Sequence, residues 1–260
     1  MSHAALETAL PARAHHLPAA GLVLAATGLL VAVLLLQLAL VAAWVNATGI
    51  RGFMGSLGIG GAAAIAADVS MLLPERPQVD GLLAVFGATF LVAVVHQMLR
   101  PAPRRYLVAS LAGVLMLVCS VCSLAVLLTV DRTLDDSAVT ASAVLAVGAA
   151  LVVGHLVDVL VPRPVIADGV PRGLAGFLLG VVAAIAVLVV RDGGRTAEAL
   201  LSSATAGAVL GGIAGLTAIA ASYVVAERPQ RGWALPVVQA VLPFATAAPV
   251  AWALALTAAL

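Results

Sequence analysis

Lysine is absent from this 260-residue chain, and all 13 basic residues are arginine. A phosphate-binding loop of the Gly-Lys-Ser/Thr kind is therefore excluded. The 12 acidic residues leave a formal net charge of +1. That balance gives no electrostatic footprint for nucleic acid. Arginine without lysine, beside abundant Ala, Val, Leu and Gly, points to a GC-rich, actinobacterial coding sequence. Cysteine is nearly absent too. Cys119 and Cys122 lie inside an apolar run, so no disulfide framework is implied and no compartment is indicated. H-E-x-x-H, G-x-S-x-G and clustered metal ligands are missing, and nothing calls for a cofactor or a metal. No long polar segment offers a soluble catalytic domain. Any catalysis would have to occur within a membrane or at its surface, and an enzyme is the least favoured reading.

Charge is scarce, at 10% of residues, while 63% are hydrophobic and mean hydropathy is +1.17. Soluble domains carry about 45–50% apolar and about 25% charged residues. Such a chain cannot hide its apolar surface inside one water-soluble core, so it uses lipid as solvent. Seven runs are long and apolar enough to span: 20–45, 81–99, 106–130, 137–161, 173–190, 203–226 and 233–258. An eighth, 53–73, would reach about 31 Å as a helix, enough to cross. It carries Asp68 and four glycines, which also suit a re-entrant segment. Backbone hydrogen bonds in lipid must be satisfied internally, so each run is read as a helix. The expected fold is all-α: a polytopic integral membrane bundle of about eight helices, or seven if 53–73 does not cross. Residues 1–19 form a short polar tail and 20–260 a single transmembrane domain. The run after the tail exceeds a signal-peptide core and reads as a retained anchor.

Arginine placement sets the sides. Loops 100–105, 162–172 and 227–232 hold three, two and two arginines and lie two crossings apart. The positive-inside bias makes that side cytoplasmic, in a cell (plasma) membrane. Loop 191–202, with two arginines outside, is discordant. With eight crossings the N-terminus is outside, and 53–73 is expected to cross.

Ser70, Glu75, Arg76, Pro77 and Gln78 recur as Ser222, Glu227, Arg228, Pro229 and Gln230 at a fixed offset. Five crossings separate the copies, so a weak inverted repeat of 53–99 with 205–251 is one reading. Chance matching of Ala/Val/Leu-rich sequence is the other.

Polar residues inside spanning helices are costly, and each is a functional candidate. They are Asp68, His96, Gln97, Cys119, Cys122, His155, Asp158, Tyr223 and Gln239. His96, Asp158 and Tyr223 each sit one turn before a cytoplasmic loop, and His155 shares a helix face with Asp158. Together His96, His155, Asp158 and Tyr223 would form a polar vestibule at the inner mouth. It would carry protons, hold a divalent metal, or with nearby arginines grip a phosphate headgroup. Residues at that depth also simply snorkel to the headgroups. Two histidines facing one cavity would ligate a haem, but no spacing places them so. Arg100, Arg104, Arg105, Arg163, Arg228 and Arg231 are candidate contacts to anionic lipid. Asp68, midway along 53–73, is a candidate proton or cation site, or else an interfacial residue. Cys119 and Cys122 form a C-x-x-C, but redox sites of that spacing need an exposed thiolate. Mid-helix in lipid they read as small packing residues. Pro243 and Pro249 are expected to kink the last helix.

Two functions fit this pattern. One is an accessory or scaffold subunit of a cell-envelope membrane complex, joined to the bilayer and to other membrane subunits or copies of itself. The other is a small-solute, ion or lipid transporter with a polar vestibule on the cytoplasmic side.

Overall fold

The computed structural model describes residues 10–73, 79–101, 105–134, 137–161, 165–167, 170, 172–227 and 232–259. These form eight helices: α1 (Leu10–Thr48), α2 (Phe53–Leu72), α3 (Asp80–Met98), α4 (Leu107–Leu134), α5 (Ser137–Leu160), α6 (Leu174–Asp192), α7 (Ala197–Glu227) and α8 (Ala234–Ala259). All eight are long and apolar enough to cross a membrane, including Phe53–Leu72. The chain is a polytopic membrane helix bundle, and its multi-pass topology places it in a cell membrane.

Two boundaries differ from the sequence reading. α1 reaches back to Leu10, into the polar tail, although its spanning part is Gly28–Thr48. α7 begins at Ala197, so the α6–α7 link is only 193–196. The hydroxyl of Thr196 accepts the Ala199 N–H, and Glu198 lies in the first turn. That is a helix start, with an N-cap and an acid beside the positive end of the dipole.

Sequence neighbours pack together. α1 to α4 surround one buried cluster that includes Leu40, Val45, Ala63, Met71, Leu117 and Val121. α5, α6 and α7 surround a second, with Ala146, Val147, Ala184, Leu210 and Ala214. α8 lies between the clusters. Val238, Val241 and Ala245 belong to the first, Ala247 and Ala251 to the second, and Phe244 packs against both. Pro243 and Pro249 both lie inside α8, which is one continuous helix. The Thr246 hydroxyl donates to the Pro243 carbonyl at 3.0 Å.

Without a hydrophobic drive between helices in lipid, association rests on close packing and interhelical hydrogen bonds. The α5–α6–α7 layer uses glycine for this. A Cβ at Gly180 would sit 2.6 Å from the Ala150 carbonyl oxygen, and one at Gly207 2.6 Å from Ile185 Cα. Gly176 and Gly180 are four apart, as are Gly207, Gly211 and Gly215, so each helix offers a glycine stripe to its neighbour. The α1–α4 half also has polar links. Trp44 Nε1 donates to the Gly113 carbonyl at 2.9 Å, and the Thr129 hydroxyl to Met71 Sδ at 2.8 Å.

Candidate functional site

Helices of even and odd number alternate in direction, so the links after α1, α3, α5 and α7 share one end of the bundle. That end carries the expected cytoplasmic arginines. Two separate polar clusters occur there.

The first closes the corner between α5 and α6. Arg172 Nη1 donates to Asp158 Oδ2 at 3.1 Å, and the two side chains are 7% and 9% exposed. Arg172 Nη2 lies 2.7 Å from His155 Nε2. Arginine only donates, so Nε2 is the acceptor and the ring proton of a neutral His155 sits on Nδ1. The Gly173 N–H donates to Asp158 Oδ1 at 2.9 Å, which seats the carboxylate at the N-terminus of α6. Gly176 allows this, because a Cβ there would overlap Asp158 Oδ1. The cavity beside the pair is only about 20 Å³.

The second lies among α2, α3 and α4. The turn after α1 contains Gly49 and Gly52 at φ 60° and 87°, a left-handed backbone that glycine adopts without strain. Gln97 Nε2 donates to the Arg51 carbonyl at 3.1 Å, and Arg100 donates to Gln97 Oε1 at 2.7 Å. The Arg51 N–H donates to Ser110 Oγ at 3.2 Å, and its guanidinium stands 5.5 Å over the Tyr106 ring. The His96 ring lies against Gly55, which has no room for a Cβ. A groove of about 620 Å³ runs beside Arg51 and Tyr106, between the end of α1 and the start of α4.

The four vestibule candidates thus fall in different places. His155 and Asp158 come together, but their partner is Arg172. α3 packs on α2 and α4, so His96 does not join them, and His155 Nε2 is taken by Arg172. Tyr223 is 43% exposed on α7. Asp158 neither snorkels nor faces open space. It is held in a corner. Arg105 is exposed, while Arg104, Arg163, Arg228 and Arg231 lie outside the described residues, as do Glu75–Gln78 and Arg228–Gln230 of the repeat. Cys119 is exposed and Cys122 buried. Gln239 Nε2 donates to Ser222 Oγ at 3.4 Å between α8 and α7.

A larger, partly polar cavity lies at the opposite end, not the cytoplasmic one. It holds about 680 Å³ among α5 to α8, with Ser142, Asp192, Glu198, Ser202, Ser203 and Thr205 in its wall. Ser142 Oγ donates to Asp192 Oδ1 at 2.9 Å and accepts from Arg191 Nε at 3.1 Å. A third space of about 780 Å³ is apolar and opens sideways, between Val144–Val152 of α5 and Ala186–Arg191 of α6.

Asp68 is in the interior of the α1–α4 half. It is 4% exposed and meets Gln37, which is fully buried. Gln37 Nε2 donates to Asp68 Oδ1 at 2.8 Å and to the Val121 carbonyl at 3.0 Å.

The sequence reading missed Arg172 and Gln37. Gln37 had a signal, as a polar residue midway along the run 20–45. Arg172 had a weaker one, as the arginine immediately before the α6 run. Among the described residues no three His, Cys, Asp or Glu side chains gather as metal ligands do.

The class is defined by this architecture: a multi-pass integral membrane protein of eight helices, with no metal-ligand cluster among its described residues. Compared with protein-family models, curated proteins and solved structures, the chain matches none of them.

Proposed function

We propose that the protein is an accessory or scaffold subunit of a cell-envelope membrane complex and performs no chemistry of its own. The observation that carries this reading is that polar side chains are used to join helices. Asp158 bonds Arg172 and Gly173, Arg172 bonds His155, Ser142 bonds Asp192 and Arg191, and Thr217 bonds Thr246. Each bond ties one helix to another or to the link between helices. Two of the spaces between helices are small, about 20 Å³ beside Asp158 and about 10 Å³ among α4, α5 and α8. The large apolar recess opens to the side, where Gly148, Ala149 and Ala186 allow a neighbouring helix to approach closely.

The test is site-specific photo-crosslinking in the native membrane from Leu145 and Val152 at the recess, with Leu91 of α3 as control. A single identified membrane protein captured from both recess positions, and lost in Gly148→Leu, is expected. Lipid adducts alone, equal at all three positions, overturn the reading.

A second reading, a small-solute transporter, draws on the 680 Å³ cavity and its serine, threonine and carboxylate lining. It requires solute binding by the purified protein that Ala206→Phe, which puts a ring into the cavity, weakens.

A further inference from the structure

Gln37 and Asp68 present an imbalance. The amide orientation is fixed, because the Val121 carbonyl can only accept and must face Nε2. Both hydrogens of Nε2 are then used, one on Val121 and one on Asp68 Oδ1. Two oxygens remain, Gln37 Oε1 and Asp68 Oδ2, both enclosed and both without a partner. The side chains are 0% and 4% exposed. Two bare acceptors in an enclosed membrane interior are costly, and an ionised carboxylate there without a cation is costlier. Among the described residues the one salt bridge is Arg172–Asp158, so no ion pair serves Asp68. The titratable group within electrostatic reach is the Cys122 thiol on α4, which brings no positive charge.

We propose that Asp68 is a proton-binding site and holds its proton as a neutral carboxylic acid, with Oδ2–H donating to Gln37 Oε1. One proton settles both bare oxygens. Acid and amide then form a closed pair: Nε2–H to Oδ1 in one direction and Oδ2–H to Oε1 in the other. The second Nε2–H ties the pair to α4. Three helices, α1, α2 and α4, are joined by one neutral unit. No covalent step is involved. The bound species is a proton taken from water when the helices assemble, and its release requires α1 or α2 to part and admit water. This inference does not rest on the scaffold reading, since it concerns a bound proton and not a partner.

Infrared difference spectroscopy of the wild type against Asp68→Asn, in lipid at neutral pH, tests it. The expected result is a protonated-carboxyl carbonyl band in the wild type, above the amide band, that is missing in Asp68→Asn. Gln37→Leu should shift that band upward, because the acid loses its partner. Asn also supplies a donor at the Oδ2 position, so Asp68→Asn should match the wild type in melting temperature, while Asp68→Ala should melt lower. A carboxylate signal in place of the acid band overturns the proposal. So does a melting temperature that rises with sodium over choline chloride in the wild type but not in Asp68→Asn, which would mean that the two oxygens hold a metal cation.

Discussion

Arg172→Ala removes the guanidinium that joins α5 to the start of α6. What it leaves behind sets the magnitude. Asp158 Oδ2 loses its cation and His155 Nε2 loses its donor, while the Gly173 N–H still serves Oδ1. The carboxylate is 9% exposed in the native bundle, so little water reaches it. Removing one partner of a buried ion pair costs about 3–5 kcal/mol. The surviving Gly173 bond places this case at the lower end, about 3 kcal/mol. Reversible unfolding in mixed micelles, followed by tryptophan fluorescence, measures it. Arg172→Met combined with Asp158→Asn removes both charges together and keeps an acceptor for Gly173. That pair should recover at least half of the loss, because the cost lies in the stranded charge and not in the lost contact. A single-variant loss below about 1 kcal/mol, the scale of an exposed surface pair, would refute the account. A double variant no more stable than Arg172→Ala would do the same.

Three further outcomes follow from the helix contacts. Gly180→Val drives a side chain into the Ala150 carbonyl and should cost about 1–3 kcal/mol by overpacking, whereas Gly212→Ala, with open space around it, should be neutral in the same unfolding assay. Changing Cys119 and Cys122 together to Ala should cost about 1 kcal/mol, with crosslinking at the recess unchanged; loss of crosslinking at normal expression would assign the thiols a role. In that cysteine-free background, Arg195→Cys in the α6–α7 link should react with an impermeant maleimide on intact cells and Trp233→Cys before α8 should not. Labelling of both would deny that α7 crosses, and the reverse pattern would invert the orientation.

The helices were legible because a membrane span is a length requirement, and apolar length is written directly in sequence. The α7 start was not, since Glu198, Ser202 and Ser203 interrupt the apolar run there; the signal was Thr196 with Glu198, a capping pattern and not hydropathy. His155 and Asp158 could be paired in advance because three residues along a helix is a fixed geometry. Their meeting with Arg172 could not, because it depends on how α6 is placed against α5. His96 shows the same limit. Its depth was readable, but depth does not say which helices are neighbours, and α3 packs on α2 and α4. Gln37 and Asp68 lie 31 residues apart on adjacent helices. Each was visible as a polar residue in an apolar run, and only packing shows that they face each other.

α8 gives the chain a late seam. Both hydrophobic clusters draw residues from it, and Phe244 touches each. Ribosomes deliver α1 to α7 first, so for a time the membrane holds two part-built halves whose mating faces are turned to lipid. The α4–α5 contact links them in the meantime, but small residues such as Ala63 and Ala214 lie in clusters that α8 has yet to close. In the finished bundle one helix, α8, closes both clusters.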